Sequence, residues 1–280
     1  MAGIQDFNGR VAVVTGGASG IGKGIARALI AEGASVVIAD VEQGALDAAA
    51  SELGAVGMLA DVSREDDVES LAEQVQERFG RIDIVCNNAG VSPKVRIQDA
   101  TMDDWRWVLG VNLWGVIHGV RAFMPRLLAN PHGGYVVNTS SAGGFVALPM
   151  IGPYSVSKFG VVALSEALDA ELKAANANVG VTVLCPGLVR TNLHTGSRNR
   201  PSELSDARGI DIDLAKNPDF DQSSWISADS VGRITVDAIR RGALYATTHD
   251  SVADMVEKKM ETVLSAFREP RPPAEFIKPD

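Results

Sequence analysis

Short apolar runs rich in β-branched residues alternate with stretches of helical period along most of the chain. The runs at Val11–Thr15, Ser35–Asp40, Val56–Asp61, Ile82–Asn87, Gly134–Thr139, Val179–Cys185 and Leu244–Thr247 are apolar on both faces. That pattern suits strands of a parallel sheet covered by helices on each side. Between them, Val68, Leu71, Val75 and Phe79 recur at helical spacing behind Ser63-Arg-Glu-Asp66, which reads as a capping box. Thr101 opens a helix predicted to run to about Ala129, with Asp103 and Asp104 in its first turn, where the helix dipole favours anions. Another helix begins at Tyr154, and one more opens at Ser227 and stops near Gly242. Seven strands alternating with helices and joined by right-handed crossovers predict an α/β architecture, a doubly wound seven-stranded parallel sheet with helices on both faces. No internal repeat or linker interrupts the pattern, so residues 1–268 are expected to form a single domain. Residues 192–226 are polar and irregular, longer than an ordinary connection. They are predicted to be a substrate-binding lid, with a surface insertion as the alternative. The Pro-rich residues 269–280 are expected to be an extended tail.

The composition narrows the function classes. A net charge of -9 over 280 residues leaves no basic stripe to release counterions, which argues against nucleic acid or an anionic membrane as partner. Cys86 and Cys185 each lie inside an apolar strand and read as buried free thiols. The beginning of the chain lacks a charged segment followed by an apolar one, and no apolar run is long enough to span a bilayer, so a cytoplasmic location is expected. No Cys/His cluster has zinc spacing, and no metal is expected.

Candidate chemistry sits at the ends of the strands. The first strand runs directly into Thr15-Gly-Gly-Ala-Ser-Gly-Ile-Gly22 and a helix. Glycines there let a backbone approach a pyrophosphate, and the helix N-terminus supplies N–H groups and positive dipole. Asp40 closes the second strand, where a carboxylate can hold the adenosine ribose hydroxyls and repel a 2′-phosphate. With no Arg or Lys at residues 16–19 or 41 to offset it, NAD is favoured over NADP. Asp61 and Val62 end the third strand and could meet the adenine, although Asp61 could equally be a helix cap. The fourth strand continues into Asn87-Asn-Ala-Gly90, and the sixth leaves through Cys185-Pro-Gly-Leu-Val-Arg-Thr191. Asn112 lies mid-helix, where an Asn needs either a role or a solvent-facing position. The stretch from Asn138 to Lys158 carries Ser140, Ser141, Tyr154 and Lys158. Tyr154 and Lys158, four residues apart, share one helix face. A phenol titrates near 10 in isolation, so bringing Tyr154 into a useful range for acid/base work asks roughly 3–4 kcal/mol of its neighbours, Lys158 first.

Taken together and in order, these motifs over residues 8–250 resemble the short-chain dehydrogenase/reductase family, NAD-dependent branch. The resemblance implies a Rossmann-type domain that carries both cofactor and substrate. It implies a catalytic tetrad in which Tyr154 is the general acid/base and Lys158 lowers its pKa and holds the nicotinamide ribose. Ser141 donates to the substrate oxygen, and Asn112 holds a water for proton relay. The family's serine lies thirteen residues before its tyrosine, which selects Ser141 over Ser140. Cofactor contacts are implied along Gly16, Ser19, Gly20, Ile21 and Gly22; at Asp40, Asp61 and Val62; at Asn88, Ala89 and Gly90; at Tyr154 and Lys158; and at Pro186, Gly187, Val189 and Thr191. A homotetramer or homodimer packed through the helices at 101–129 and 154–175 is also implied.

The substrate is less defined. Phe145, Val146, Leu148, Met150 and Ile151, with Leu188 and Leu193, suggest an apolar wall, and a bulky hydrophobic secondary alcohol or its ketone is the expected small-molecule partner. The stretch from His194 to Pro201, with Trp225 and Leu244–His249, is similar to bacterial Cα-dehydrogenases that oxidise benzylic aryl ethers. A steroid, terpenoid or acyl-chain alcohol is the alternative, and a non-catalytic dinucleotide sensor is the rival of another class. His194 reads either as a second acid/base or as a lid residue making a loop hydrogen bond. Epimerases of the extended branch need a larger C-terminal domain than the thirty or so residues after the last strand.

Overall fold

The computed structural model describes residues 3–213 and 222–269. Within them, β1 (Val11–Thr15), β2 (Ser35–Asp40), β3 (Val56–Leu59), β4 (Ile84–Asn87), β5 (Gly134–Thr139), β6 (Val179–Cys185) and β7 (Tyr245–Thr247) form one sheet. The order is β3-β2-β1-β4-β5-β6-β7, with every pairing parallel. This is the expected doubly wound α/β architecture. Because β1 neighbours both β2 and β4, the connections leave its carboxyl end in opposite directions and open a crevice there, the place where such sheets bind ligands.

The two faces of the sheet are filled by alternate residues of the same strands. Ala12, Val14, Val36, Ile38, Ile84 and Val137 pack with Ile25 and Leu29 of α1 (Gly20–Ala31) and with Val231 and Ile239 of α7 (Ala228–Arg241). Val11, Val13, Val37, Val85 and Val136 pack with Val68, Leu71 and Val75 of α3 (Glu65–Phe79) and with Phe123 and Leu127 of α5 (Gly115–Ala129). Each such fully buried side chain contributes on the order of 1.5–3 kcal/mol. Helices α1 and α7 cross backbone to backbone. A Cβ on Gly24 would lie 2.2 Å from the Ala228 carbonyl oxygen, and one on Gly232 only 2.1 Å from that of Gly24.

Several local expectations are corrected. Strand β3 stops before Asp61, whose carboxylate accepts the Ser63 amide at 2.9 Å and the Ser63 hydroxyl at 2.7 Å, turning the chain out of the sheet. That commitment removes Ser63 from the predicted capping box: α3 begins at Glu65 with Arg64 at its N-cap position and no side-chain cap. Strand β4 begins at Ile84 and β7 at Tyr245, later than expected.

The capping box lies instead at Thr101 and Asp104, at the start of α4 (Met102–Leu109). The long helix expected to Ala129 is continuous but contains a π-helical turn, Gly110–Trp114, between α4 and α5. Contacts outside the helix set that turn: Gly115 sits so close to Val62 that a Cβ would meet its Cγ2 at 2.7 Å. The Asn112 side chain at the same turn is drawn to the backbone of Val91.

Helix α6 (Gly152–Ala174) starts two residues before Tyr154, with Pro153 in its first turn. Among the described residues, two further α-helices are α2 (Gln43–Leu53) and α8 (Val252–Arg268); the sequence pattern did not single out the latter, and it buries no residue fully. Part of the predicted lid, residues 214–221, and nearly all of the predicted tail, residues 270–280, lie outside the described residues.

Candidate active site

The cleft is built where β1, β4 and β5 end side by side. The Thr15 hydroxyl oxygen accepts the Asn88 amide at 2.9 Å and the Ala89 amide at 3.2 Å, while Asn88 Nδ2 donates to the Thr15 carbonyl at 3.0 Å. These bonds press the Asn88-Ala-Gly90 backbone against the Gly-rich turn. Gly16 has φ 64°, and a Cβ there would come within 2.8 Å of Ala89 Cα. A Cβ on Gly22 would lie 2.2 Å from the Gly16 carbonyl oxygen. The turn therefore admits no side chain at these positions and leaves bare backbone at the N-terminus of α1, a cradle that fits a pyrophosphate. At the end of β2, the Asp40 carboxylate accepts amides from Ala18 (3.1 Å), Val41 (2.8 Å) and Glu42 (3.2 Å), which fixes it at the rim of the same cleft.

From Asp40 the cleft runs past Ser19, Gly20, Ile21, Asp61, Val62, Asn88, Ala89 and Gly90 to Ser141, Tyr154 and Lys158. Its other wall is the exit of β6, Pro186, Gly187, Leu188, Val189 and Thr191, continuing into Leu193 and His194. The Gly187 amide donates to Thr248 Oγ1 at 3.0 Å, which ties that exit to the segment after β7.

Tyr154 is buried against Val91, Trp107 and Val108. Burial raises its phenol pKa, and a hydrogen bond with the Ser141 hydroxyl acts in the opposite direction. Lys158 Nζ lies 5.6 Å from the centre of the Tyr154 ring and donates to the Thr139 carbonyl at 2.9 Å. Burial lowers the pKa of this ammonium to about 8. The expected depression of the phenol by Lys158 is therefore not present in the protein alone, where desolvation prevails. Ser141 Oγ accepts the Gly143 amide at 3.1 Å and donates to the Pro186 carbonyl at 3.4 Å, at the edge of the cleft. Ser140, the neighbour set aside on spacing, donates to the Lys158 carbonyl at 2.8 Å and braces α6.

Asn112 is fully buried behind the cleft. Its Oδ1 accepts the Val91 amide at 2.8 Å, and its Nδ2 donates to the Val91 carbonyl at 2.9 Å and to Ser157 Oγ at 3.1 Å. Ser157 in turn donates to the Tyr154 carbonyl at 2.6 Å, so Asn112 holds the first turn of α6 in register with β4. One lone pair of Oδ1 remains free of these bonds. A Cβ on Gly90 would lie 3.4 Å from that oxygen and 3.6 Å from Lys158 Nζ, so the two groups flank one small space.

Five of the residues expected in the substrate wall, Phe145, Val146, Leu148, Met150 and Ile151, do not line the cleft. Phe145 packs against Tyr245, ring centres 5.9 Å apart, and beside Val161, Val162 and Val183. Met150 has φ 69° and is exposed, while its carbonyl accepts the Val95 amide at 2.8 Å. The apolar lining comes instead from Val91, Trp107, Val111, Leu188 and Leu193.

The segment after β6 supplies further residues whose partners the sequence did not show. Arg198 and Asn199 line the cleft and bond to Glu42, Arg198 Nη2 to Oε1 at 2.7 Å and Asn199 Nδ2 to Oε1 at 2.7 Å. Arg200 forms a buried ion pair with Asp104 at 2.6 Å and lies over the Trp107 ring. Among the described residues there is no cluster of side chains able to hold a metal ion. None of their helices is long and apolar enough to cross a membrane.

Fold and cleft together define a Rossmann-type α/β protein with its site at the switch point of the sheet. The chain belongs to the short-chain dehydrogenase family of oxidoreductases, whose model matches residues 10–202. A C alpha-dehydrogenase of Sphingobium sp. is 31% identical over 271 residues, covering 94% of this chain and 88% of that protein. The 3beta-hydroxysteroid dehydrogenase 2 of Eggerthella lenta is 37% identical over 207 residues, 71% of this chain and 78% of that protein. The crystal structure of a short chain dehydrogenase/reductase from Burkholderia phymatum in complex with NAD superposes with a TM-score of 0.88 at 35% identity, covering 98% of this chain and 100% of that one.

Proposed function

We propose that this protein is an NAD-dependent dehydrogenase/ketoreductase that interconverts a bulky apolar secondary alcohol and its ketone. The observation that carries this reading is the buried Tyr154, with the Ser141 hydroxyl on its phenol and Lys158 beside its ring, at the far end of a cleft that begins at a glycine cradle and Asp40.

A nicotinamide dinucleotide bound along that cleft supplies the hydride acceptor. Gly16, Ser19, Gly20, Ile21 and Gly22 would hold its pyrophosphate, and Asp40 its adenosine ribose. Asp61, Val62, Asn88, Ala89 and Gly90 would line the adenine and ribose path. Pro186, Gly187, Val189 and Thr191 would flank the nicotinamide, with Lys158 on its ribose. The carboxylates of Asp40 and Glu42 side by side at the rim support NAD over NADP, although Arg198 on Glu42 partly offsets them.

In oxidation, Ser141 orients the alcohol oxygen by donating to it, and the Tyr154 phenolate takes the hydroxyl proton. Lys158, whose Nζ lies 5.6 Å from the centre of the Tyr154 ring, would stabilise the phenolate, and a bound nicotinamide ring would add positive charge to the same side. The space between Asn112 Oδ1 and Lys158 Nζ suits a bridging water that passes the proton outward. Trp107, Val111, Leu188 and Leu193 support an apolar substrate body. The likeness to a C alpha-dehydrogenase over nearly the whole chain favours a benzylic aryl alcohol, and the likeness to a hydroxysteroid dehydrogenase keeps a steroid or terpenoid alcohol as the next choice. Exposed Trp114, Leu128 and Val156 on the expected subunit helices support a homotetramer or homodimer.

The test is NADH absorbance on mixing the protein with NAD, or in parallel NADP, and a panel of benzylic aryl ethers, terpenols and hydroxysteroids. Turnover with NAD that falls by about a thousandfold or more in Tyr154→Phe, with NAD binding retained, is expected. Turnover undiminished in that variant would remove Tyr154 from the reaction.

A further inference from the structure

Glu42 and Arg198 meet at the same end of the cleft as Asp40. The Asp40 carboxylate accepts the Glu42 amide at 3.2 Å and the Ala18 amide of the Gly-rich turn at 3.1 Å, so Glu42 stands beside the cradle. Arg198 reaches it with one edge of its fork. Nη2 donates to Oε1 at 2.7 Å and Nε to Oε2 at 3.2 Å, while Nη1 is held by the Thr195 carbonyl. Asn199 Nδ2 adds a further donor to Oε1 at 2.7 Å. These bonds hold the Glu42 carboxyl below the usual carboxylate range, so it is charged at neutral pH.

Among the described residues that line the cleft, the Lys and Arg side chains are Lys158 and Arg198, and Lys158 lies at the far end beside Tyr154. Arg198 is therefore the cation that a dinucleotide would meet near its adenosine ribose. A planar guanidinium grips a carboxylate and a phosphate with the same two-pronged geometry, so either anion can fill its fork. Neither partner is sealed: 43% of the Arg198 side chain and 31% of the Glu42 side chain are exposed, so a competing anion can reach the pair. An ion pair so open adds little to stability, and its variants should fold.

We propose that Glu42 fills the Arg198 fork as an internal counterpart of a 2′-phosphate, and that this residue, beside Asp40, decides the cofactor. With Glu42 charged, NADP would meet two carboxylates and a guanidinium already satisfied. Without that charge, Arg198 becomes the ligand of a 2′-phosphate. The assignment rests on reading the cleft as a dinucleotide site and goes beyond the preference ascribed to Asp40. It makes the exclusion of NADP depend on an ion pair between the end of β2 and a segment 156 residues further on.

The probes are 5′-AMP and 2′,5′-ADP, which differ only by the phosphate at the ribose 2′ position, titrated calorimetrically into the whole protein. The quantity read is the ratio of their two dissociation constants, so an effect common to both fragments cancels. Glu42→Gln should shift that ratio toward 2′,5′-ADP by about ten- to a hundredfold, the size of one fork-to-phosphate contact. Adding Arg198→Gln to that variant should abolish the gain, and adding Arg198→Lys, which keeps the charge without the fork, should keep part of it. A shift no larger than the roughly two- to fivefold that loss of one half-exposed charge gives would overturn the assignment and leave the dinucleotide site intact. A gain that survives Arg198→Gln would overturn it too. Binding of neither fragment to any of these proteins would sink the dinucleotide reading and the assignment with it.

Discussion

Lys158 shows how a single buried charge shapes both the site and the stability of the protein. Burial pulls its ammonium down to about 8, and it donates to the Thr139 carbonyl at 2.9 Å. In the unfolded chain the same group keeps its proton up to the ordinary lysine range. Between about pH 8 and 10 the unfolded state therefore binds more protons, and stability rises with pH through that window; below it both states are protonated and the penalty, about 3 kcal/mol, stays constant. Urea unfolding of the cofactor-free wild type and Lys158→Met should accordingly differ by a pH-dependent amount. The balance should shift toward the wild type by up to about 3 kcal/mol between pH 7 and pH 10. A difference that does not move with pH would show that the lysine is solvated. Most of this residue-scale picture was legible beforehand, since Tyr154, Lys158 and Ser141 lie within one stretch and their spacing places them. What the chain could not show was the sign of the tyrosine shift. That depends on Val91, Trp107 and Val108, which reach the phenol from distant segments.

At the scale of elements, two contacts of unequal strength hold the segment from Leu193 onward over the cleft. The Arg198–Glu42 pair is half exposed and contributes about 0–1 kcal/mol. Asp104 is buried, and besides Arg200 it accepts the amides of Arg208 at 3.1 Å and Gly209 at 3.3 Å. Burial pushes its carboxyl up, but these partners and the Thr101 amide outweigh it and hold the pKa below the usual range, so the anchor stays charged at any physiological pH. Arg200→Ala leaves that carboxylate buried without its counter-ion and should cost about 3–5 kcal/mol, seen as faster hydrogen exchange at Arg208 and Gly209. Glu42→Gln should leave those amides protected; equal loosening in both would mean that the segment is held elsewhere. Neither anchor was legible, because Asp104 and Arg200 lie 96 residues apart. Asp104 read only as a first-turn carboxylate, which it also is. The strands were legible because burial on both faces writes itself as unbroken apolar runs. The π-helical turn was not, since Val62 and Val91 impose it from outside the helix.

Over the whole molecule, the first and last parts of the fold depend on each other through the α1–α7 crossing. Gly232→Val would drive a side chain into the Gly24 carbonyl, where a Cβ already has 2.1 Å, and should lower stability by more than the ~1–3 kcal/mol typical of overpacking. A thermal melt of the variant, with and without NAD, measures it, and an unchanged midpoint would mean that the helices part easily. The same crossing constrains how the protein is made. Helix α1 leaves the ribosome early, yet the helix that covers Ile25 and Leu29 follows only at residues 228–241. At about 5–20 residues per second the nascent chain spends roughly 10–40 s with that apolar surface open. Over that interval a chaperone can compete for the apolar face of the helix behind the glycine cradle.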